Sequence, residues 1–328
     1  MKAWISGKER GIEALAFDDV IVPNPADNEL LIRVSHTALN FSDLLMLEDK
    51  YQVRPPRPFI PGQEISGIVV KAPSKSTFKL GDRVTSKVIW GGFAEYVTVR
   101  ADMAIPVPPG ICLTQATALP ISYVTALVAL NYCASLSASD CVLIHAAAGG
   151  VGLAAVEIAT ARGARVIATA RSDKRLAVAI ERGAERGVNY SEENWFDRVN
   201  DITEGRGANI ILDPVGGHIG EDSLRCIAID GTLLIVGFAS GFVPKLPAHR
   251  LLLKRASAHG VYWNHDIDME LLNAATSDLN ALLINRELDP LVNTDYQFDA
   301  LPQALKDLAG RKVIGKVVLK VSSDGTGE

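Results

Sequence analysis

The residues with the plainest chemistry form one short run, Ala147-Ala148-Gly149-Gly150-Val151-Gly152, between the apolar stretch Cys141 to His145 and the helical stretch Gly150 to Arg162. A small-residue turn after a strand and before a helix fits the G-x-G-x-x-G pattern, with Ala147 at the first position and Gly149 and Gly152 at the others. Gly149 lets the backbone approach a pyrophosphate with no Cβ in the way, and Gly152 lets the helix pack close on the sheet. The helix start adds unpaired N–H groups and a positive dipole end, so the run Ala148 to Gly152 reads as a dinucleotide-phosphate site. Small residues also make purely structural turns; the agreement of strand, helix and a second strand roughly 20 residues on favours the ligand.

That second strand, Arg165 to Thr169, runs into Ala170-Arg171-Ser172-Asp173-Lys174-Arg175. An acid at its end would hold the ribose 2′-hydroxyl of NAD, whereas cations and a hydroxyl suit a 2′-phosphate. Arg171, Ser172, Lys174 and Arg175 are therefore the expected ligands and NADPH the expected cofactor, with a solvated helix start as the bland alternative. Asp173 reads as the first-turn acid of the next helix.

Metal chemistry finds no support in the residue types. Cys112, Cys133, Cys141 and Cys226 show neither C-x-x-C spacing nor a paired His nearby, and are expected as small apolar core residues. His36 and His145 are expected to be structural, and His249, His259 and His265 are too dispersed for a ligand set. Tyr262 and Trp263 could line an acceptor pocket or pack at a domain boundary.

These groups need elements to hold them. Up to about residue 120 the chain carries short β-type runs punctuated by Pro and Gly (Leu30 to Val34, Glu64 to Val70, Arg83 to Ser86, Phe93 to Val97), which predicts a mostly antiparallel β-domain. From about Ile121, apolar strands alternate with helices: Cys141 to His145, Arg165 to Ala168, Ile210 to Asp213 and Leu233 to Gly237, with Gly150 to Arg162 and Asp173 to Arg182 between. Near-continuous apolar strands in that alternation predict a parallel sheet covered on both faces. The alternation fades after Gly260, and a helix (Pro302 to Ala309) and a strand (Lys316 to Val321) close the chain. The expected architecture is α/β, a Rossmann doubly wound domain at residues 122–260 inserted into a β-rich catalytic domain at residues 1–121 and 261–328, with the ligand cleft between the two.

Bulk properties agree. At 328 residues two domains are expected, and 48% hydrophobic with 22% charged residues is ordinary globular composition, with disorder expected only from Ser322 to Glu328. A net charge of −5 without a Lys/Arg stripe disfavours nucleic acid. No apolar run of about 18 residues and no signal-peptide core is visible, so a cytoplasmic protein without membrane contact is expected.

The chain resembles the medium-chain dehydrogenase/reductase superfamily, in its zinc-free quinone oxidoreductase branch, over essentially its whole length. The resemblance rests on Asn40-Phe41-Ser42-Asp43-Leu44-Leu45, Tyr51, Pro61 to Gly67, Gly81-Asp82-Arg83-Val84, Gly91 to Tyr96, the phosphate turn, Asp213 to Gly217, Gly237 to Gly241 and Gly315 to Leu319. Glu157 stands where the family commonly has Gln. In the zinc alcohol dehydrogenases of the superfamily a Cys occupies the place of Asn40 and a His that of Gln63, and a lobe of four Cys holds a structural zinc; none of these is present, and amides are poor zinc ligands. The resemblance implies a GroES-like catalytic domain and cofactor contacts at Asn40, Thr125, Gly150, Val151, Arg175, Tyr190, Val215, Phe238 and Ser240, with Arg311 or Lys312 closing on the cofactor. It also implies a homodimer paired through an edge of the nucleotide-domain sheet, near Thr232 to Phe238 and the segment after it. Tyr190 could instead be a strand-end aromatic, and Thr125 a helix-surface residue bonding its own backbone.

With nicotinamide as the hydride source, the protein's part is to position the acceptor, exclude water and stabilise developing charge. A quinone yields a delocalised hydroquinone anion and needs no strong general acid. An α,β-unsaturated carbonyl or enoyl thioester yields an enolate, for which an O–H donor matters. Tyr51 is that candidate, resembling tyrosines that some quinone reductases and enoyl-thioester reductases place near the nicotinamide; a loop aromatic over the cleft is the plain alternative. Leu45 replaces a second Tyr found in several quinone reductases. Metal-free quinone reduction at Asn40 and Tyr51 is the leading reading, enone or enoyl reduction the second, and an NADPH-binding structural or regulatory protein the third.

Overall fold

The computed structural model describes residues 1–321; the tail from Ser322 to Glu328, where disorder is expected, lies outside the described residues. The chain forms two compact units, Met1–Ile121 with the chain from Pro290 onward, and Ser122–Asp289.

In the first unit, β1 (Lys2–Ser6) and β2 (Leu15–Asp19) pair antiparallel. A seven-stranded sheet joins β3 (Glu29–Ala38), β4 (Glu64–Lys71), β5 (Arg83–Lys87), β6 (Tyr96–Arg100), β7 (Ala104–Pro106), β14 (Val292–Asn293) and β15 (Lys316–Lys320) in the order β14-β15-β3-β4-β5-β7, with β6 also on β3. Alternation in β3 sends Leu30, Ile32 and Val34 into a core with Ile65, Val69, Val84 and Val99. Helices α1 (Phe41–Leu47) and α10 (Leu301–Ala309) close a second core through Leu44, Leu47, Leu301 and Leu305, and α2 (Leu113–Ala116) packs on β4 and β5. The run expected as a strand at Phe93 to Val97 begins later, at Tyr96, because Phe93 is fully buried and its carbonyl accepts the Trp4 N–H at 2.9 Å.

The second unit is doubly wound, as its apolar alternation predicts. Six strands, β8 (Cys141–Ile144), β9 (Arg165–Ala170), β10 (Arg186–Asn189), β11 (Ala208–Asp213), β12 (Ile227–Ile235) and β13 (Ser257–Gly260), run parallel in the order β10-β9-β8-β11-β12-β13. The order reverses between β8 and β11, the crevice where such sheets hold ligands at their carboxyl ends. All of β8 is buried, as a strand covered on both faces must be. The connections are α4 (Gly150–Ala161), α5 (Asp173–Glu181), α6 (Trp195–Ile202), α7 (Gly217–Ser223) and α8 (Ala248–Lys254), and α3 (Val124–Leu127) precedes the sheet between two π-helical turns.

The first crossover falls at the texture change at Ile121. The return differs from the expected residue 261 and comes at Pro290, because after β13 the chain makes α9 (Met269–Ile284). Leu272, Ala275, Leu279, Leu282 and Leu283 of α9 are buried, and the helix packs on α3 inside the second unit.

Candidate functional site

At the carboxyl edge of the parallel sheet, the turn after β8 is held from below. The N–H of Ala147 donates to the Thr169 carbonyl at 3.0 Å and that of Gly149 to Ala146 at 2.8 Å. Ala146 takes a left-handed φ of 47° to make the bend. Gly149 is the N-cap of α4 and offers no side-chain cap, so the helix starts with its first N–H groups, those of Gly150, Val151 and Gly152, unclaimed by a cap. A Cβ on Gly152 would stand 2.3 Å from the Ala146 carbonyl oxygen and 2.8 Å from the Ala147 Cα. The close approach of turn and helix therefore requires glycine, and this small-residue cradle fits a pyrophosphate.

One strand over, β9 ends at Ala170, and Ser172 stands at the N-cap position of α5 without a side-chain capping bond, with Asp173 in the first turn, as expected of Asp173. Burial, and next the neighbouring Arg171 guanidinium, pull the Arg175 pKa down, while Tyr190 at the end of β10 pulls the other way. Arg171, Arg175 and Tyr190 therefore form one electrostatic neighbourhood. Two like charges held together are stabilised by an anion placed between them. Tyr190 borders an open cavity of about 390 Å³ whose wall includes Trp195, Phe196, His218 and Arg225, so it is not closed into the core. Lys174 is exposed.

Beyond β11, Asp213 is fully buried and its Oδ1 accepts the N–H groups of Val215 at 2.8 Å and Gly216 at 2.9 Å. Burial pushes this carboxyl up, against those two amides. Gly216 has φ 68°, and a Cβ there would meet the Phe238 ring at 2.9 Å. The Ser240 N–H donates to the Val215 carbonyl at 2.8 Å, which brings Val215, Phe238 and Ser240 together as two facing loops. Thr125 does not bond its own backbone; its Oγ1 accepts the indole N–H of Trp263 at 3.1 Å, and Trp263 is buried.

His145 is structural, as expected. Its Nδ1 lies 2.7 Å from Thr169 Oγ1 and its Nε2 2.8 Å from Ser223 Oγ, and Ser223 Oγ itself donates to the Ile219 carbonyl. That fixes Nε2 as the protonated nitrogen, and burial holds the ring neutral, with a pKa of about 3. His36, between Ser35 and Thr114, is likewise pushed down to about 4, by burial first and then by Lys320.

In the first unit, Asn40 stands between β3 and α1 in a buried polar cluster. Its Nδ2 donates to Glu64 Oε2 at 3.0 Å, and its Oδ1 accepts from Lys316 Nζ at 2.5 Å. Lys316 and Glu64 pair at 2.6 Å with side chains 6% and 0% exposed, and Glu64 Oε1 accepts the Ile121 N–H at 2.7 Å. Asp43 Oδ2 accepts the Asn40 N–H at 2.8 Å, and burial raises the Asp43 carboxyl to about 7. Gln63 is buried, its Oε1 without a partner among the described residues. Lys87 sits directly across from Glu64 on β5, where burial pulls its pKa down. Glu64, Lys87 and Lys316 are the members sequence reasoning missed. A lysine opening the apolar strand Lys316-Val317-Val318-Leu319 and an acid opening β4 are the signals that point to them.

Tyr51 is half-buried in the loop leaving α1. Arg311 has φ 56° in the turn after α10, and the exposed Lys312 pairs with Asp307 at 3.2 Å. Cys141 and Cys226 are buried, Cys112 and Cys133 partly so. Among the described residues no three His, Cys, Asp or Glu side chains converge as a metal-ligand set, and no helix is long and apolar enough to cross a membrane.

Residues 150–277 match the family model of zinc-binding dehydrogenases, and residues 26–109 that of the alcohol dehydrogenase GroES-like domain. The chain is 38% identical over 317 residues to a quinone oxidoreductase-like protein 2 homolog of Nematostella vectensis, covering 95% of this chain and 87% of the relative. Its fold is similar to that of the quinone oxidoreductase from Thermus thermophilus, solved also in complex with NADPH, with TM-score 0.84 and 33% identity over 98% of this chain and all of the other (100%). It is similar too to the Escherichia coli quinone oxidoreductase complexed with NADPH, with TM-score 0.89 and 28% identity over 98% and 100% of the two chains.

Proposed function

Because the chain belongs to the medium-chain dehydrogenase/reductase superfamily, on its quinone oxidoreductase branch, we propose that it reduces quinones by hydride transfer with NADPH and without a metal ion. The observation that carries this reading is the carboxyl edge of the parallel sheet, where an uncapped helix start lies one strand from the Arg171, Arg175 and Tyr190 group.

The cofactor is NADPH, which supplies the hydride when bound. Backbone N–H groups of Ala148, Gly150, Val151 and Gly152 would hold its pyrophosphate, with Gly149 lying against it without a Cβ in the way, and Arg171, Ser172, Lys174, Arg175 and Tyr190 would hold the 2′-phosphate. The resemblance assigns further cofactor contacts to Thr125, Val215, Phe238 and Ser240 in the second unit, and to Asn40 and Arg311 or Lys312 in the first. The chain's own work is to orient the acceptor, exclude water and offer N–H groups to the oxygen that gains charge. A quinone suits such a site, because its reduced anion spreads its charge and takes a proton from water. Asn40 and Gln63, amides where zinc relatives carry Cys and His, make hydrogen bonding rather than Lewis-acid catalysis the chemistry on offer.

Tyr51 separates quinones from enones. NADPH consumption by wild type and Tyr51→Phe with 1,2-naphthoquinone, 9,10-phenanthrenequinone, 2-alkenals and enoyl thioesters is the test. Quinone turnover indifferent to Tyr51→Phe supports the proposal. Turnover confined to enones and dependent on Tyr51 replaces it with enone reduction, and NADPH binding without turnover replaces it with a binding role.

The expected pairing edge near Thr232 to Phe238 is corrected in part, since Thr232 to Ile235 lie on β12, which is paired on both sides. We further propose a homodimer joined along β13, in the segment after it, an edge strand with every residue exposed. Light scattering on the eluting protein checks it, and a monomer at micromolar concentration rejects it.

A further inference from the structure

An asparagine amide has two faces of opposite sense, and which one meets a ligand decides what that ligand must be. The Asn40 amide meets two charged, buried groups, one on each side, besides its place in the capping box of α1. The ammonium of Lys316 can only donate, so the atom facing it at 2.5 Å is the carbonyl oxygen. The Glu64 carboxylate carries an accepting oxygen, so the atom facing it at 3.0 Å is the amide nitrogen. Lys316 and Glu64 are themselves locked together at 2.6 Å, and Glu64 is fixed from its other oxygen by the Ile121 N–H. Turning the amide over would set N–H against ammonium and carbonyl against carboxylate, losing two charge-assisted hydrogen bonds together. One N–H of Nδ2 is spent on Glu64, which leaves the second.

We propose that the Lys316–Glu64 pair acts as a positioning device that fixes the polarity of Asn40, so that this side chain meets a bound ligand only as a hydrogen-bond donor, to a carbonyl-type oxygen. The inference rests on the reading that Asn40 stands at the reaction centre. It adds a specificity rule to that reading: the group next to Asn40 is an oxygen that gains negative charge, and a ligand presenting a hydroxyl or N–H donor there is disfavoured because its proton meets another proton. Lys316 and Glu64 act through Asn40 and touch no reacting atom. The other charged or titratable groups around the pair, Asp43 beneath Asn40 and Lys87 across from Glu64, leave its sense unchanged: Asp43 Oδ2 bonds the Asn40 backbone, not the amide.

The test reads the amide directly in the ligand-free full-length chain. In a nitrogen-15 spectrum, with the Asn40 side-chain pair assigned by its loss in Asn40→Ala, wild type should show two well-separated protons, one downfield and slow to exchange. Removing one charge alone would leave its partner buried and unpaired, so the variant is the double change Lys316→Met/Glu64→Gln. It should bring the two Asn40 protons together and speed their exchange. It should also slow single-turnover oxidation of NADPH by 1,2-naphthoquinone about tenfold or more while the NADPH Kd stays within about twofold, the pattern of a lost transition-state contact. Lys316→Arg with Glu64 intact, which keeps a cationic donor facing Oδ1, should retain both wild-type signatures. The proposal is overturned if the folded double variant keeps the wild-type Asn40 protons or hydride-transfer rate. Should it fail to fold, wild type alone decides, because an averaged, fast-exchanging Asn40 pair overturns the proposal too. A wild type that binds no NADPH would sink the functional reading instead, and the Asn40 spectrum would still report the sense of the amide.

Discussion

Tyr123 donates its hydroxyl to Glu157 Oε2 at 2.8 Å, inside the second unit, where the family commonly carries Gln in place of Glu157. The Arg182 guanidinium, 3.3 Å from Oε1, and the Asp289 N–H, 3.2 Å from Oε2, complete the surroundings, tying α4 to the last residue of the unit. Burial nevertheless pushes the Glu157 carboxyl up to about 7, against the pull of Tyr123, Arg182 and the Asp289 amide.

A carboxyl whose folded value lies above its unfolded value of 4.5 holds its proton better in the fold. Its contribution is fully present below pH 4.5 and is lost as pH rises through 7. Glu157→Gln keeps an acceptor for Tyr123 and removes the titration. Relative to wild type it should be nearly neutral at pH 4.5 and more stable by about 1–3 kcal/mol at pH 8, after allowing for the lost Arg182 pair. Thermal unfolding across that range decides it, and a variant equally destabilised at both ends contradicts the account.

Gly152→Ala places a Cβ within 2.3 Å of the Ala146 carbonyl oxygen, a backbone atom that cannot step aside. The start of α4 has to move, at a cost of about 1–3 kcal/mol, and the N–H cradle moves with it. NADPH affinity by titration calorimetry should fall at least about tenfold, since displaced donors lose charge-assisted bonds. An unchanged Kd in a folded variant would mean that the turn does not hold the pyrophosphate.

Much of this was legible from the sequence, for reasons that differ by element. The doubly wound unit shows itself because a two-faced parallel strand must be apolar throughout, as Cys141–Ile144 is, and because small residues mark the turn that Gly152 makes obligatory. The return to the first unit was misplaced because α9 follows β13 without a further strand, so the alternation that marks a Rossmann unit stops before the unit does. Its apolar spacing, Leu272, Ala275, Leu279 and Leu282, is helical and could have extended the boundary. The pair around Asn40 was hidden for another reason. Lys316 and Glu64 lie far apart in sequence on strands β15 and β4, and neither charge looks buried until β3 brings them together.

Ala146 bends the chain after β8 at φ 47°, a conformation that costs a residue with a Cβ about 1–2 kcal/mol. Ala146→Gly relieves that strain and gives back part of the gain through a freer unfolded chain. A net stabilisation of about 0.5–1 kcal/mol is expected in chemical denaturation, with the midpoint moved and the slope unchanged. Destabilisation would show that the Ala146 methyl is packed rather than strained.

Arg171 and Arg175 offer the sharpest test of the cofactor. Burial first, and then the Arg171 guanidinium, raise the cost of keeping Arg175 charged, so the pair is poised for an anion. A 2′-phosphate placed there gains charge-assisted hydrogen bonds of about 1.5–3 kcal/mol each. Arg175→Ala should therefore weaken NADPH about 10–100-fold while NADH, which has only a hydroxyl at that position, changes little. Arg171→Ala should do less, because it is exposed and screened by solvent. The wild-type preference for NADPH should shrink as ionic strength rises, and the double alanine variant should show no such dependence. If wild type favours NADH, or if the double variant still favours NADPH, these arginines do not select the cofactor.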